Sequence, residues 1–368
     1  MPGILTGRRI AHFGHHDPYY SRNRIIAKAL MLCGAEVTQI ADGRTFLRRT
    51  PRLIGEVARA DVDAILVGFP SHSDVPAAST VARAKGIPTL FDPLTSQWEN
   101  AVIDRQAIPR RSIRAGRYRL YDSMACRLAD LVLLDTQAHI DFFCNEFGLA
   151  QSKFRRVWVG SDEQIMKPLE EPQRRDDFVV FFYGSFRPFQ GADYIVRAAR
   201  VLEQRRERIR FVLCGDGPTY QSVRALSERL GVGNVEFLPR CSLQRLAALI
   251  SASHVCLGVF GTNAKALRVI PNKVFDALAC QRALITGDGP AVREALTDRD
   301  HVWLCRIGDE EALADAIATL RQDPGLRNRI ATNGHELFQR RFSTVALAPE
   351  IGRIVRGAID GSGGATAG

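Results

Sequence analysis

The stretch Arg268-Val-Ile-Pro-Asn-Lys-Val-Phe-Asp-Ala-Leu-Ala-Cys280 decides how this chain reads. It follows His254-Val-Cys-Leu-Gly-Val-Phe260, an apolar run that reads as a buried strand. Pro271 then opens a helix, because its fixed φ suits a first turn and its missing N–H costs nothing there. Val274, Phe275, Leu278 and Ala279 form the apolar stripe, and Lys273 and Asp276 share a face. Lys273 is the odd residue, since a cation in the first turn opposes the positive end of the helix dipole. An anion at the helix start resolves the conflict: free N–H groups and the ammonium then point at it together. The other reading is a solvated lysine whose stem packs on the helix, and the residue alone does not choose. Ala283-Leu-Ile-Thr286 is a second apolar run, followed by Gly287-Asp-Gly-Pro290 and another helix from about Ala291. Strand, helix, strand, glycine turn and helix make one crossover unit of a parallel sheet.

With 368 residues the chain is long enough for two domains, and 46% hydrophobic content is ordinary for a globular protein. No apolar run reaches bilayer-spanning length, and the first residues lack the apolar core of a secretory signal, so the expected location is cytoplasmic. The eight cysteines are scattered without a Cys-x-x-Cys pair. Cys214, Cys256 and Cys305 lie in apolar runs and read as reduced core residues, and no metal site is expected. The net charge of +10 is carried mostly by arginine. It suits phosphate-bearing ligands, an anionic membrane or nucleic acid, or reflects only a biased genome composition.

In order, Arg9-Ile-Ala-His-Phe13 reads as a first strand, His15-His-Asp-Pro-Tyr-Tyr-Ser21 as a polar and aromatic loop, and residues 22–33 as a helix capped by Gly34. The second strand is Ala35-Glu-Val-Thr-Gln-Ile40. This is a Rossmann-like opening without Gly-x-Gly-x-x-Gly, so no dinucleotide is indicated. Ala64-Ile-Leu-Val-Gly68, Pro88-Thr-Leu-Phe91 and Leu131-Val-Leu-Leu134 are further strands, each ending in a polar loop of the kind that carries ligands in open parallel sheets. Residues 105–120 interleave arginines with Ile113, Tyr118 and Leu120. They read either as a basic amphipathic segment on anionic lipid, which puts the chain peripherally at the inner face of a membrane, or as a solvated basic face.

The proline-rich, mixed-charge stretch 167–177 reads as a linker. The domains expected are therefore 1–166 and 178–344, both Rossmann-like. A C-terminal helix over 345–360 that can cross back to the first domain and a disordered tail over 361–368 follow. In the second series, Phe178-Val-Val-Phe-Phe-Tyr183 is a strand and residues 184–191 a glycine-bounded loop. Gly215-Asp-Gly-Pro218 repeats the strand-to-helix turn of Gly287-Asp-Gly-Pro290. Residues 327–341 read as a basic tail.

These elements, in this order, resemble the GT-B fold of glycosyltransferases, and residues 178–345 resemble glycosyltransferase family 4. The resemblance rests on the loop 184–191, Leu213-Cys-Gly-Asp-Gly-Pro218, Asn234-Val-Glu-Phe-Leu238, Pro271-Asn-Lys-Val-Phe-Asp-Ala-Leu-Ala279 and Arg340-Arg-Phe-Ser343. It implies an α/β chain of two Rossmann-like domains facing a cleft, with a nucleoside diphosphate sugar as donor substrate, no cofactor and no metal. Gly184, Ser185, Gly215, Gly217, Arg268, Asn272 and Lys273 are then expected around the donor. Asp276 would bind the ribose hydroxyls, and Leu238 and Pro239 would flank the base. Two positions depart from the family pattern in the loop, Ser185 and Gln190, and Arg268 stands where the family has its first carboxylate. Arg187, Arg268 and Lys273 are the cations left to replace the missing ones.

The resemblance implies transfer of a sugar to an acceptor hydroxyl, retaining and metal-independent, with cations and helix dipoles holding the departing diphosphate. Cell-surface polysaccharide, glycolipid or related glycoconjugates are the expected acceptors, with small molecules also open. His15, His16, Asp17, His72, Asp74 and Asp92 are acceptor-side candidates. Arg187, Lys273, His16 and Asp92 are those expected at the chemistry, against turn-capping roles for His72, Asp74 and Asp92. Two alternatives stay open: a non-catalytic sugar-nucleotide-binding protein on the same fold, and a sugar-nucleotide epimerase. No nucleic-acid motif, Walker loop or serine nucleophile elbow is present.

Overall fold

The computed structural model describes residues 3–169 and 177–363 of the chain. It divides into two units. One comprises Met1–Val102, Gln106–Gly160 and Thr344–Gly368; the other comprises Ile103–Arg105 and Ser161–Ser343. The linker expected at 167–177 and the tail expected at 361–368 fall mostly outside the described residues.

The first unit is a parallel sheet in the order β2-β1-β3-β4-β5-β6. Its strands are β1 (Arg9–Gly14), β2 (Glu36–Ala41), β3 (Ala64–Val67), β4 (Thr89–Phe91), β5 (Leu131–Leu134) and β6 (Phe154–Arg156). The helices between them are α1 (Ser21–Leu32), α2 (Phe46–Arg59), α3 (Val75–Lys85), α4 (Ile113–Leu128) and α5 (Gln137–Phe147). β3 and β5 are buried on both faces, which is why they appear in the sequence as unbroken apolar runs. The C-terminal helix Thr344–Gly363 belongs to this unit and packs along α1. Helices α2 and α3 were not foreseen. The expected basic segment 105–120 is helical only from Ile113, where the Ser112 hydroxyl accepts from the Ala115 N–H at 3.2 Å.

The second unit is a parallel sheet in the order β12-β11-β10-β7-β8-β9. Its strands are β7 (Phe178–Gly184), β8 (Ile209–Gly215), β9 (Val235–Leu238), β10 (Val255–Leu257), β11 (Ala283–Gly287) and β12 (Trp303–Cys305). Its helices are α6 (Ala192–Gln204), α7 (Tyr220–Leu230), α8 (Leu243–Ser251), α9 (Asn272–Ala279), α10 (Pro290–Ala295), α11 (Glu310–Gln322) and α12 (Pro324–Arg341). The chain runs outward from β7 to β9 and returns to the other side of β7 as β10. The strand order therefore reverses between β7 and β10, and the loops after these two strands are where an open parallel sheet offers a crevice.

Two expectations are corrected here. Residues 327–341 are no tail but most of α12, which buries Ile330, Ala331, Gly334, Leu337 and Phe338 beneath an arginine-rich outer surface. Pro271 is the cap residue ahead of α9 rather than its first helical residue, with an extended ψ of 160°. Among the described residues, no helix is long and apolar enough to cross a membrane.

Candidate functional site

At the β7/β10 switch point two loops meet backbone to backbone. Phe260 and Gly261 donate their N–H groups to the carbonyls of Gln190 and Phe189 at 3.1 and 3.2 Å. The glycine-bounded loop 184–191 is thereby held against the start of the β10–α9 connection. Asp104 braces the same loop: one carboxylate oxygen accepts from the Phe189 N–H at 3.0 Å and from the Asn263 side chain at 3.1 Å. The Arg187 guanidinium lies 3.9 Å from its other oxygen.

Lys273 is the second residue of α9 and reaches from there to the end of β7. It is 4% exposed, its Nζ lies 3.9 Å from the centre of the Phe182 ring, and it makes no hydrogen bond. Burial pushes its pKa well below the ordinary lysine value. Beside it Gln190, 5% exposed, has an amide oxygen without a hydrogen-bond partner. Both groups converge on Gly184: a Cβ there would lie 2.4 Å from Gln190 Oε1 and 2.9 Å from Lys273 Nζ. An unpaired buried ammonium is costly in any folded protein, so its retention here points to a partner that arrives from outside the chain.

The neighbouring β8–α7 turn carries Gly215 and Gly217, both at φ +138°. A Cβ on Gly217 would fall 1.7 Å from the Ser185 carbonyl oxygen, so only glycine lets this turn lie on the 184–191 loop. Ser185 is exposed at the tip of that loop. Leu238 is half-buried at the end of β9 and Pro239 is exposed, its carbonyl accepting from the Cys214 thiol at 3.1 Å. Asn272 and Arg268 are half-buried at the start of α9 and in the loop before it.

Asp276, expected on the ribose, has internal partners. It is 6% exposed, and its two oxygens accept the hydroxyls of Ser161 and Tyr183. Burial and the Asp276 charge push the Tyr183 hydroxyl well above its ordinary pKa, so it remains a donor. The carboxylate thus ties the first residue of this unit's main segment to β7 and α9. Lys265 is a residue that sequence reasoning passed over. It is 4% exposed in the β10–α9 loop, with its ammonium 5.4 Å from the Phe189 ring centre. The signal available was a lysine inside Gly261-Thr-Asn-Ala-Lys265, directly after a buried strand.

The remaining candidates lie in the first unit, whose strand order reverses between β1 and β3. The loops after those strands are linked: the His15 N–H donates to Asp74 at 2.8 Å, and the other Asp74 oxygen accepts from Arg49 at 3.0 Å. His72, 2% exposed, has its Nε2 3.1 Å from the Thr95 carbonyl oxygen. Asp74 and His72 therefore fasten loops, the capping alternative weighed above. His16 stacks on His12 with ring centres 3.9 Å apart, and its Nε2 lies 2.9 Å from Gln39 Oε1. Burial lowers its pKa despite the Gln39 contact, so the ring is neutral at pH 7. Asp92 is 1% exposed and accepts from Arg22 Nε and Nη2 at 2.9 and 3.1 Å. Arg22 Nη1 also donates to the Val157 and Trp158 carbonyls, both at 2.8 Å. The geometry gives Asp92 an internal ion pair where sequence reasoning placed it at the chemistry.

Residues 164–337 match the family model described as Glycosyl transferases group 1. The second unit is a glycosyl transferases group 1 domain. Among curated proteins, the lipopolysaccharide core biosynthesis glycosyltransferase LpsD of Rhizobium meliloti is 28% identical over 179 residues, 47% of this chain and 47% of that protein. The chain spans about half the length of the first curated relatives it matches. Among solved structures, sucrose-phosphate synthase from Thermosynechococcus elongatus superposes with a TM-score of 0.77 at 16% identity, covering 96% of this chain and 100% of that one. Anabaena HepE in complex with UDP-glucose gives 0.72 at 15% identity, covering 94% of this chain and 98% of that one. At these identities the structures establish the α/β, two-sheet GT-B fold, and the group 1 domain is the half that carries the switch-point loops around Lys273.

Proposed function

We propose that this chain is a glycosyltransferase that moves a sugar from a nucleoside diphosphate sugar to an acceptor hydroxyl. One observation carries the reading: a buried ammonium without a hydrogen bond, Lys273 Nζ, at the start of a helix and close against the Gly184 backbone at the switch point of a group 1 domain. A diphosphate supplies the charge and acceptor oxygens that this arrangement lacks. In the reaction the bond from the sugar's anomeric carbon to the diphosphate oxygen breaks. A bond from that carbon to the acceptor oxygen forms, and the acceptor's proton is released. Lys273, with Arg268 and Arg187 from the flanking loops, stabilises the charge that develops on the departing diphosphate. Charge supplied in this way makes a metal unnecessary, and we read the transfer as metal-independent and retaining.

Leu238 and Pro239 are proposed to flank the base. Asp276 acts here by holding Tyr183 and Ser161 in place behind the donor. The loops after β1 and β3, with the neutral His16, are the proposed acceptor platform. The sugar polymer and glycolipid class of acceptor is supported by the lipopolysaccharide role in the name of the Rhizobium relative.

The test is thermal stability of the pure chain against UDP, GDP, ADP and dTDP, followed by turnover with the sugar of the base that responds. UDP heads the panel because HepE was solved with UDP-glucose. A ligand that binds only the folded form raises the midpoint by mass action. Stabilisation by one diphosphate, with glycosylated product formed equally well in excess chelator, is the expected result. Stabilisation without any product leads to the non-catalytic reading that Ser185 and Gln190 raise. No response to any diphosphate overturns the proposal.

A further inference from the structure

The first unit carries a surface that its own fold does not use. Helices α2, α3 and α4 each follow a strand and lead toward the same edge of the sheet. Right-handed crossovers place them on one face, and α2 packs on α3 and α3 on α4. The outward side of this layer is apolar in an unusual way. On α2, Leu47 is 82% exposed and Ile54 37%, seven residues apart and so on one stripe. On α4, Ile113 is 89% exposed and Leu120 61%, again seven apart, with Tyr121 beside them at 37%.

Arginines lie alongside both stripes. Arg48 and Arg52 flank Leu47, and Arg114 and Arg117 flank Ile113. Arg48, Arg114 and Arg117 have no carboxylate partner among the described residues. The three helices hold two acids between them, Glu56, which pairs with Arg52, and Asp122, which is buried. A solvated basic face does not need isoleucine and leucine at its crest. Apolar side chains projecting between unpaired guanidinium groups are what an in-plane helix presents to a bilayer of anionic lipid.

We propose that the outer face of the α2–α3–α4 layer docks on an anionic lipid bilayer, with Leu47, Ile54, Ile113 and Leu120 entering the headgroup–acyl boundary and the arginines meeting lipid phosphates. The proposal takes the lipid alternative for the basic segment 105–120 and adds α2, which the sequence did not single out. Nucleic acid is the competing polyanion. It has no use for aliphatic side chains at nearly full exposure, and the layer offers no stacked aromatic platform to bases.

The experiment is flotation of the full chain with vesicles of phosphatidylcholine alone and of phosphatidylcholine with phosphatidylglycerol. Partition to the anionic vesicles only, weakening as salt rises, is expected. Each arginine replaced by glutamine among Arg48, Arg114 and Arg117 should weaken it about fivefold. The double variant Leu47→Ser/Ile113→Ser, unchanged in charge, should weaken it about tenfold or more. All five positions are exposed, and an unchanged melting temperature confirms that the variants fold. Equal binding to neutral vesicles, no binding to either, or full binding by the double serine variant overturns the proposal. So does displacement from vesicles by duplex DNA with the same arginine dependence, which reassigns the face to nucleic acid. Lys273→Met must partition like the wild type, so failure of the lipid proposal leaves the donor reading standing, and the reverse also holds.

Discussion

Replacing Arg22 by methionine removes the cation from a fully enclosed ion pair in the first unit. Arg22 is 0% exposed and Asp92 1%, so neither group has water to fall back on. The substitution deletes two hydrogen bonds to the carboxylate and two to the Val157 and Trp158 carbonyls. Taking one partner from a buried pair typically costs about 3–5 kcal/mol, because the other charge is left without compensation. The two carbonyls add to that cost, and protonation of Asp92, whose pKa burial already raises against the pull of Arg22, relieves part of it. A net loss of about 3–5 kcal/mol is expected, read as a drop in the urea midpoint of the first unit's transition. The double variant Arg22→Met/Asp92→Leu should recover much of the loss, since it removes both charges together. The same measurement decides the role of Asp92. A clamp predicts that Asp92→Asn lowers the midpoint and that turnover falls only with stability. A midpoint unchanged by Asp92→Asn together with lost turnover would refute the clamp and return Asp92 to the chemistry.

Other consequences follow from named contacts. His139 is fully buried; burial alone lowers its pKa, but Asp135 at 2.7 Å and Glu99 raise it to about 9. Its folded pKa exceeds the unfolded value of about 6.5, so its contribution is fully present below about pH 6.5 and is lost as pH rises through about 9. Wild type should therefore lose on the order of 2–3 kcal/mol more than His139→Gln between pH 6 and 10, seen in urea midpoints; parallel pH profiles would contradict this. Gly217→Ala puts a Cβ 1.7 Å from the Ser185 carbonyl at φ +138°, and should cost about 2 kcal/mol or more in chemical denaturation. Gly184→Ala meets only the ends of Gln190 and Lys273, so it should leave the melting temperature within a few degrees and still weaken nucleotide diphosphate binding in calorimetry. Tyr183→Phe withdraws one hydroxyl from buried Asp276 and should lower stability by about 1–3 kcal/mol.

Much of the architecture could be read from the residues because parallel strands buried on both faces announce themselves as short apolar runs. Ala64–Val67, Leu131–Leu134 and Phe178–Gly184 are such cases, and the paired Gly-Asp-Gly-Pro turns do sit between strand and helix. α2 escaped because Leu47, Pro51 and Ile54 lie on its outward side and blur the helical period that Leu53 and Val57 set inward. The helix within 327–341 escaped because arginines stand at both ends of the segment and the few apolar residues that it buries are separated by polar ones.

Lys273 was conspicuous from the electrostatics of a helix start, and the structure adds what the sequence could not: the ammonium is buried and its neighbour Gln190 is unsatisfied as well. The partners of Asp92 and Asp276 were illegible for a different reason. Arg22 lies 70 residues from Asp92, and Ser161 lies 115 from Asp276, so no local spacing could suggest either contact.

The measurement that bears most directly on the central claim is a pair of readings on Lys273→Met. A lysine kept buried for a ligand is a burden to the empty protein. The account predicts that the variant melts at or above the wild-type temperature without ligand, and binds the responding nucleoside diphosphate about ten- to a hundred-fold more weakly in calorimetry. A variant that melts lower while binding the nucleotide as tightly as the wild type would show that Lys273 serves the fold, and would contradict the account.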